Sequence, residues 1–495
     1  MTRLRSIPPG LRAVALVVAT WLGAAAAAQA QLDFLTNFLM PESKEREIAQ
    51  SEHPKILAQF GGEYGDAALA QYVNGVAANL GRSSERPDIQ YRVTILNSPI
   101  VNAFALPAGY LYVTRGLLAL AEDEAELAGV VGHEIGHVTA RHTAERYSRG
   151  VLAQVGAGVL GALLRDGALA GLAQLAEPAA MVALQSFSRE QEHEADLLGI
   201  QTMARAGFDP QAMASFLESL DANTKLEARM AGRPEEEQAL FGLLNTHPRT
   251  ADRVRQTIEA ARAVKVARPT VGRDTYLRRI DGMVYGDDPA QGVVRGATFI
   301  HPELDVRFEA PPGFQLLNGP TQVVGQSQQG GALRFDLQQV NAALSPQRYI
   351  AEDWAAGRQL AGLQSTTING FPAATASTTM TADGQPSATA WLLALRGPGD
   401  AMYRFLFLAP QSAAAQIMPS FHHTMQSFRR LSAEDRALAR PHKLRIVTVR
   451  RGETAEGLAD RMAFADNRLD RFLTLNSLSA GARLEPNRLV KVVTE

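Results

Sequence analysis

Five consecutive residues, His133-Glu134-Ile135-Gly136-His137, constrain this chain more than any other feature of its sequence. On a helix, residues four apart lie on the same face, so the two imidazoles can point at one metal ion. Glu134 directly follows the first histidine, where its carboxylate can take a proton from water at the metal. The pattern therefore predicts a helix with two zinc ligands, His133 and His137, and a catalytic base, Glu134.

The residues before and within the motif favour this helix. Asp123 can cap its start, and Glu126 lies three positions later, as at many helix N-termini. Apolar side chains recur at helical spacing, so one side of the helix can be buried. They are Leu127, Val130, Val131, Ile135 and Val138.

A catalytic zinc needs a third protein ligand and one position left for water. The segment 188–196 offers several candidates, on a second predicted helix. Glu192 and Asp196 share one face of that helix, and Glu190 and Glu194 share another. Spacing does not choose among them, and a solvated acidic helix without a metal is also compatible with the pattern. The candidates are Glu190, Glu192, His193, Glu194 and Asp196.

Five motifs follow one another between residues 47 and 253. They are Asn-Ala-Phe-Ala-Leu-Pro-Ala-Gly-Tyr at 102–110, Thr-Arg-Gly-Leu-Leu at 114–118, the His-Glu motif at 133–137, Glu-His-Glu-Ala-Asp at 192–196 and Thr-His-Pro at 246–248. In this order they resemble the BepA- and HtpX-like zinc metallopeptidases of bacterial envelopes, which are related to the CAAX-prenyl endopeptidases. Ala108 departs from the pattern, because many relatives carry glycine there.

The resemblance implies roles for four further residues. Glu192 would be the third ligand of one Zn²⁺ per chain. Asp196 would hydrogen-bond a ligand histidine and set its tautomer, or act as a proton donor. His247 would be a switch over the metal or a contact to the transition state, and a capping or packing histidine is the alternative. Arg253 either contacts the site or is a solvated helix arginine.

The segment Ala103–Val113 reads as two strands around Pro107-Ala108-Gly109. An exposed edge there can take an extended peptide as an added strand. Asn102, Ala103, Phe104 and Ala105 are therefore predicted to bind substrate.

The N-terminus predicts export. Arg3, Arg5 and Arg12 precede an apolar run, and Ala28-Gln29-Ala30 is typical of a cleavage site, so residues 1–30 are interpreted as a signal peptide. The expected location is the periplasm. The sequence contains no Cys, which excludes disulfides and Cys-based metal sites. A formal charge of −2, or −5 without the three arginines, argues against a nucleic-acid partner.

The segment Val151–Leu175 is rich in Ala, Gly, Leu and Val. Its first 14 residues are uncharged before Arg165-Asp166, which is short of the ~20 that a membrane-spanning helix needs. Packing on the catalytic helices or forming a lid is the expected role, and peripheral contact with a membrane is the alternative.

The whole chain is predicted to be an α+β protein of several domains. Residues 31–265 are assigned to a mostly helical zincin-type peptidase domain with a small sheet. Residues 270–432 alternate short apolar runs with Gly/Pro-rich turns and loosely resemble a PsbP-like α/β sandwich, with a binding or regulatory role. Within it, helices are expected at Pro346–Gly362 and Ser412–Phe428.

Residues 443–495 resemble a LysM module, with an expected order of strand, two helices and strand. The resemblance rests on Val449–Thr454, Asn476-Ser477-Leu478 and Leu484–Val490. It implies binding of peptidoglycan chains, although Asn487 stands where glycine is usual. A small docking domain is the alternative.

The combined expectation is a periplasmic zinc endopeptidase that acts on protein or peptide substrates of the envelope, in outer membrane protein quality control or in maturation. The alternative is a peptidoglycan-tethered binding protein or chaperone with little proteolytic activity.

Overall fold

The computed structural model describes residues 40–146, 187–232, 243, 247, 251–327, 330–382 and 385–495. The predicted signal peptide and the segment Val151–Leu175 lie outside the described residues. The described chain is α+β: its N-terminal part is mainly helical, and its C-terminal part contains a large antiparallel sheet.

The N-terminal part contains eight of the described helices. They are α1 (Glu42–Gln59), α2 (Ala67–Ser83), α3 (Arg115–Leu120), α4 (Glu124–Thr139), α5 (Arg189–Arg205), α6 (Ala212–Met230), α7 (Ala251–Ala263) and α8 (Arg273–Ile280). Helical spacing of the apolar residues in Asp66–Leu80 predicts a helix, and this segment forms α2, whose cap Asp66 accepts a hydrogen bond from the Leu69 amide. Its apolar face is buried because α2 packs on α4 and on the first sheet.

A three-stranded sheet lies beside α4. It consists of β1 (Arg92–Leu96), β2 (Ala103–Leu106) and β3 (Tyr110–Thr114) in the order β1-β3-β2. β1 pairs with β3 in parallel, and β2 pairs with β3 antiparallel, so β2 is an edge strand of this sheet. Ala108, in the turn between β2 and β3, has φ 61° and ψ 23°. Ala108 thus adopts the left-handed conformation that glycine adopts more easily, which costs about 1 kcal/mol of stability.

The middle of the chain forms two antiparallel sheets. The smaller contains β5 (Val293–Arg295), β6 (Thr298–His301) and β7 (Val306–Glu309). The larger has the order β11-β12-β13-β14-β10-β9-β8. Its strands are β8 (Phe314–Asn318), β9 (Gln322–Ser327), β10 (Ala332–Gln339), β11 (Ala361–Ile368), β12 (Phe371–Ala382), β13 (Gln385–Arg396) and β14 (Ala401–Pro410).

Each face of the seven-stranded sheet packs against a helix. On one face Phe407 meets Phe421 of α10 (Ala414–Ser427), with ring centroids 4.6 Å apart. On the other face lie Tyr349 of α9 (Pro346–Tyr349) and Ile350. The predicted helix at Pro346–Gly362 is wrong in its second half. The chain makes one π-helical turn, Ile350–Trp354, and enters β11 at Ala361, after Gly357 with φ 78°.

The last residues follow the expected strand-helix-helix-strand order. After α11 (Ala433–Leu438) come β15 (His442–Thr448), α12 (Ala455–Ala459), α13 (Arg468–Leu475) and β16 (Leu489–Thr494). β15 pairs with β16 and also with β4 (Val284–Tyr285). Asn487 has φ 71°, a conformation that asparagine tolerates better than most residues, so the missing glycine leaves this turn intact.

The C-terminal residues share a core with the helical part. Leu444, Val490 and Val492 belong to the same apolar cluster as Tyr276 and Ile280 of α8. The predicted domain limits near 265, 270 and 443 stay a prediction. Among the described residues, no helix is both long enough and apolar enough to cross a bilayer.

A buried carboxylate at the start of α4 makes the stability of this core depend on pH. Burial, and then the charge of Asp123, raise the pKa of Glu126 to about 7, against hydrogen bonds from Ser215 and from the Glu122 amide. Between these two pKa values Glu126 is therefore protonated in the folded state but ionised in the unfolded chain. The stabilisation of the folded state by this bound proton is complete below the ordinary pKa of 4.5 and is lost as the pH rises through about 7.

We expect Glu126→Gln to remove this dependence. Between pH 5 and pH 8 the wild-type free energy of unfolding should fall by on the order of 3 kcal/mol more than that of the variant. Urea unfolding of both proteins at several pH values measures the difference. Glu218→Gln, at an exposed position of α6, is the matched control and should follow the wild type. Parallel pH profiles of wild type and Glu126→Gln would contradict the expectation.

Candidate metal centre

The helix α4 carries the His-Glu motif through the middle of the core. The predicted cap is confirmed: Asp123 Oδ1 accepts a hydrogen bond of 2.8 Å from the Glu126 amide. From Ala125 to Val138 every residue of α4 is buried. The motif therefore lies in a low-dielectric environment, where charges interact more strongly than in water.

The helix α5 lies against α4 at backbone contact. A Cβ atom on Gly136 would lie 2.7 Å from the carbonyl oxygen of Ala195, so only glycine permits this approach. Ser188 and Gln191 form a capping box at the start of α5. With this rotation of α5, Glu192 and Asp196 are buried against α4, whereas Glu190 and Glu194 are exposed.

Four buried side chains converge at one point. Ligand atoms of His133, His137, Glu192 and His247 all lie within 4.8 Å of one another. The Nε2 atoms of His133 and His137 are 3.1 Å apart. Glu192 Oε1 is 3.5 Å from His137 Nε2, and Glu192 Oε2 is 3.7 Å from His133 Nε2. The structure thus brings the two motif histidines together with Glu192.

His247 contributes the fourth group of the cluster. Its Nδ1 atom is 2.8 Å from Glu192 Oε1 and 3.2 Å from His133 Nε2. Its Nε2 atom is 3.4 Å from Glu134 Oε1. Neither oxygen of Glu134 accepts a hydrogen bond from the part of the chain that the structure describes, although the side chain is buried. Glu134 thus borders the cluster with a carboxylate available to a water or a substrate.

Asp196 lies behind the cluster and holds His133. Its Oδ1 atom is 2.8 Å from His133 Nδ1, and its two oxygens accept 2.7 Å and 2.9 Å bonds from Arg253. Thr257 donates a third bond, of 2.9 Å. Burial alone would raise the pKa of Asp196, but the bonds and charge of Arg253 and of His133 outweigh it and hold that pKa well below its usual range.

His137 and Glu192 differ in the charge that their surroundings favour. Burial is the main reason that the pKa of His137 lies well below its usual value. For Glu192, burial opposes ionisation, but the charge of His247 and hydrogen bonds from His137 and His247 hold its pKa far below the normal range. A neutral imidazole and an anionic carboxylate are the forms that bind a cation.

The donor set fits a zinc ion. A His133 ring with its proton on Nδ1, 2.8 Å from Asp196 Oδ1, has a lone pair on Nε2, 3.1 Å from the Nε2 atom of His137. When both rings are neutral and neither proton lies on Nε2, these two nitrogens and the Glu192 carboxylate are arranged as donors to one cation. Two imidazoles and one carboxylate also form a known ligand set of catalytic zinc.

Three residues that contact the site, His142, Phe187 and Thr257, were not foreseen from the sequence. His142 Nδ1 lies 3.1 Å from His137 Nδ1, and its Nε2 atom is 3.3 Å from Glu194. The ring of Phe187 stacks on His137, with centroids 3.8 Å apart. The third contact is that of Thr257 with Asp196. A further histidine five residues after His137 was a usable signal, whereas nothing in the sequence marks Phe187 or Thr257.

The predicted substrate residues lie on the edge strand. Asn102 is buried just before β2, and its Oδ1 atom has no hydrogen-bond partner among the described residues. Ala103, Phe104 and Ala105 are buried within β2, which contacts α4. At the start of this edge, the Val101 carbonyl accepts a 3.0 Å bond from the amide of Leu243. Leu243 lies four residues before His247, so one segment borders both the edge and the metal cluster.

Solved structures give only a weak likeness. The cyanobacterial PsbP of Synechocystis covers 28% of this chain and 98% of its own, at 10% identity and a TM-score of 0.24. A likeness at this score supports no conclusion about the middle of the chain.

Curated relatives match the N-terminal part. The beta-barrel assembly-enhancing protease of Yersinia pestis is 35% identical over 234 residues, which are 45% of each chain. The protein of that name from Escherichia coli K12 is 33% identical over 229 residues, 43% of each chain. The mitochondrial metalloendopeptidase OMA1 of Schizosaccharomyces pombe is 31% identical over 239 residues, 46% of this chain and 64% of its own.

The family comparison agrees with the geometry. Residues 65–261 match the model of peptidase family M48, and this range contains His133, Glu134, His137, Glu192 and His247. The chain spans about half the length of the beta-barrel assembly-enhancing proteases it resembles. The resemblance inferred from the motifs is thus supported for this range, because residues 65–261 of this chain match the model of peptidase family M48.

Proposed function

We propose that this protein is a zinc-dependent endopeptidase of the periplasm that hydrolyses peptide bonds of envelope proteins, in quality control or maturation. The observation that carries the proposal is the convergence of His133, His137 and Glu192 beside the Glu134 carboxylate, which accepts no hydrogen bond from the described residues. The relatives named as a beta-barrel assembly-enhancing protease support the substrate class. The interpretation of residues 1–30 as a signal peptide supports the location.

In this proposal His133, His137 and Glu192 hold one Zn²⁺ per chain. The ion supplies Lewis-acid chemistry when bound, since it polarises a peptide carbonyl and makes water more acidic. Glu134 takes a proton from the attacking water and delivers it to the amine that leaves. Neither oxygen of Glu134 accepts a hydrogen bond from a described residue, which suits both transfers.

Asp196 is proposed to orient His133 rather than to donate a proton. Its oxygens already accept bonds from Arg253 and Thr257, and one faces His133 Nδ1. Because these partners stabilise the carboxylate, Asp196 remains charged and keeps the proton of His133 on Nδ1. The lone pair of Nε2 is then directed at the metal.

The substrate is proposed to bind along β2. Among the described strands the outer edge of Ala103–Leu106 is unpaired, and an added strand would pair its backbone with it once this buried edge is uncovered. The hydrogen bond from the Leu243 amide to the Val101 carbonyl is already a backbone bond of this kind, at the start of the edge. A peptide that extends along β2 must share this space with the segment that carries His247.

His247 is proposed to be a switch. Its Nδ1 atom lies within hydrogen-bond distance of Glu192 and of His133, so the ring competes with water and substrate at the metal. We expect His247→Ala to keep one zinc per chain and to raise the rate of casein cleavage by roughly fivefold or more, the scale of a regulatory coupling. Metal analysis and initial rates measure both quantities.

The control for this prediction is His193→Ala, which alters a histidine of α5 next to Glu192 that lies outside the cluster. It should change neither quantity. Loss of zinc in His247→Ala would identify His247 as a required ligand. A fall in rate by about 10²-fold with zinc retained would identify it as a contact to the transition state instead.

The proposal as a whole is tested with the full chain. Purified protein should contain one zinc per chain, lose cleavage of casein on treatment with a chelator, and regain it with Zn²⁺ but not with Mg²⁺. Cleavage that survives complete metal removal, or protein that takes up no zinc, would refute it. Fractionation of cells that express the protein tests the periplasmic location.

The C-terminal residues are proposed to form a LysM-like module. The order β15-α12-α13-β16 and the intact turn at Asn487 support this assignment. Binding to peptidoglycan would tether the enzyme near its substrates. Co-sedimentation of the inactive Glu134→Gln protein with purified peptidoglycan tests the interaction, and full recovery in the supernatant would oppose it.

A further inference from the structure

A histidine outside the metal cluster lies against one of the clustered side chains. His142 is buried, with 4% of the residue exposed, and its Nδ1 atom is 3.1 Å from Nδ1 of His137. Its Nε2 atom is 3.3 Å from Glu194 Oε2. Turning the imidazole of His142 by 180° would place a carbon atom at both contacts, so the two contacts together fix the orientation of this ring.

The backbone directs His142 back to His137. On a continuous helix, residues five apart are separated by about 140° around the axis, so the two side chains would diverge. However, α4 ends at Thr139, and Arg141 has φ 60°, which breaks the helix before His142. The Nε atom of Arg141 donates a 2.9 Å bond to Glu45 Oε1, so α1 holds this turn. The approach of the two rings is therefore fixed by the conformation of the chain.

The two contacts of His142 determine where the protons lie. Burial favours the neutral ring, and the Glu194 carboxylate only accepts hydrogen bonds, so the single proton of His142 lies on Nε2. The Nδ1 atom of His142 is then an acceptor, and the facing Nδ1 atom of His137 carries the proton between them. A neutral His137 of this form has its lone pair on Nε2, the atom that faces His133 and Glu192.

The other tautomer of His137 competes with this arrangement. With its proton on Nε2, the ring can donate to Glu192 Oε1, 3.5 Å away, and the proton then lies where a cation would bind. The Nδ1 atoms of His137 and His142 would then face each other as two lone pairs. His142 therefore disfavours the tautomer that cannot bind a metal. Phe187, which stacks on His137, offers no acceptor to this ring.

We propose that His142 is a positioning residue for zinc, which accepts the Nδ1 proton of His137 and thereby directs the Nε2 lone pair of that ring into the cluster. His142 would do for His137 what Asp196 does for His133. This role depends on the proposed zinc site. It does not require the charge of Glu194, because that side chain is exposed and a water or a glutamine oxygen can accept the Nε2 proton in its place.

The zinc affinity of the full chain tests this role. In competition with a chelator of known affinity, His142→Leu should bind Zn²⁺ about 10–100-fold more weakly than the wild type, the usual cost of losing such a partner. His142→Gln should stay within about fivefold of the wild type, because its amide oxygen still accepts the proton of His137. His193→Leu, which alters a histidine of α5 outside the cluster, is the control and should bind as the wild type does.

Thermal unfolding of the zinc-free proteins separates positioning from a structural role. A lower Tm of His142→Leu with unchanged zinc affinity would overturn the proposal, and so would a His142→Gln protein that binds zinc as weakly as His142→Leu. Wild-type protein that binds no zinc would refute the proposed function as well, whereas equal affinity of wild type and His142→Leu would refute only the role of His142.

A measurement on the wild type covers the case in which His142→Leu does not fold. In zinc-loaded protein labelled with ¹⁵N-histidine, the ring signals of His142 should show a proton on Nε2 and none on Nδ1. These signals are assigned by their absence from the spectrum of His142→Gln. A proton on Nδ1 of His142 would overturn the proposal.

Discussion

Replacing Glu134 with Gln is expected to lower kcat/KM for peptide cleavage by about 10²–10⁴-fold, the usual contribution of a positioned acid–base group. Glutamine keeps the size of the side chain but cannot take the proton. Because Glu134 is not one of the four clustered ligand groups, zinc content should stay at one per chain. Metal analysis and cleavage of casein or a quenched peptide measure the two effects.

Glu194→Gln is the matched control for this substitution. Glu194 belongs to the same acidic segment as Glu192 but is exposed and contacts His142 rather than the cluster. Its substitution should leave the rate within about threefold of wild type, as for an exposed charge pair. Equal activity of wild type and Glu134→Gln would remove the basis of the proposed mechanism. It would favour the alternative of a binding protein or chaperone.

The inactive protein also addresses the substrate. Envelope proteins that co-purify with Glu134→Gln but not with wild type would be trapped substrates. Capture of a single class, such as outer membrane proteins, would specify the role in quality control. A cleavage assay with the captured protein and wild-type enzyme then tests whether binding leads to hydrolysis.

Substitution of Lys491 by Met is expected to lower the free energy of unfolding by about 3–5 kcal/mol, the cost of breaking a buried ion pair. Lys491 is fully buried on β16 and lies 2.8 Å from Glu122 Oε1. Its Nζ also donates to the carbonyls at the end of α3, those of Ala119, Leu120 and Ala121. The variant leaves these three carbonyls without their donor and Glu122 with Arg273 alone.

The measurement is urea unfolding of the full chain, with Lys443→Met on the neighbouring strand β15 as control. Lys443 is only half-buried, so its loss should cost less than about 1 kcal/mol. The double variant Lys491→Met/Glu122→Gln should recover part of the loss, because it removes the charge left behind. A Lys491→Met protein as stable as Lys443→Met would show that the buried contacts of Lys491 do not contribute to the free energy of unfolding.

The Lys491 contact also bears on the role of the C-terminal module. Glu122 directly precedes Asp123, the residue that caps α4, and α4 carries the metal ligands. The C-terminal residues therefore contact the chain directly before α4, the helix that carries His133 and His137. Because this contact is buried, a truncation before β15 should destabilise the remaining chain, whether or not the proposed tethering role holds.

Local patterns were enough to place many elements. The apolar runs at Val306–Glu309 and Leu489–Val493 predict strands from the sequence alone, and they agree with β7 and β16 within one residue. The helix at Ser412–Phe428 agrees with α10 within two residues. These segments have alternating or helical apolar patterns with clear ends. The overlong helix at Pro346–Gly362 fails because an edge strand with exposed residues, β11, has no apolar pattern to mark its start.

The sequence by itself determined the helical pair His133 and His137 with Glu134 between them, because residues four apart on a helix share a face whatever surrounds it. It did not determine from spacing which acidic residue completes the site. That choice depends on the rotation of α5, which the close contact of Gly136 with Ala195 decides.

Long-range contacts were decided only by the tertiary structure. His247 reaches His133 across 114 residues, and Lys491 reaches the end of α3 across more than 370. The Thr-His-Pro motif at 246–248 marked His247 only through its resemblance to a family pattern, and nothing local distinguishes Lys491 from a solvated lysine. Their positions follow from which apolar faces pack together, and that is a property of the whole core rather than of any short segment.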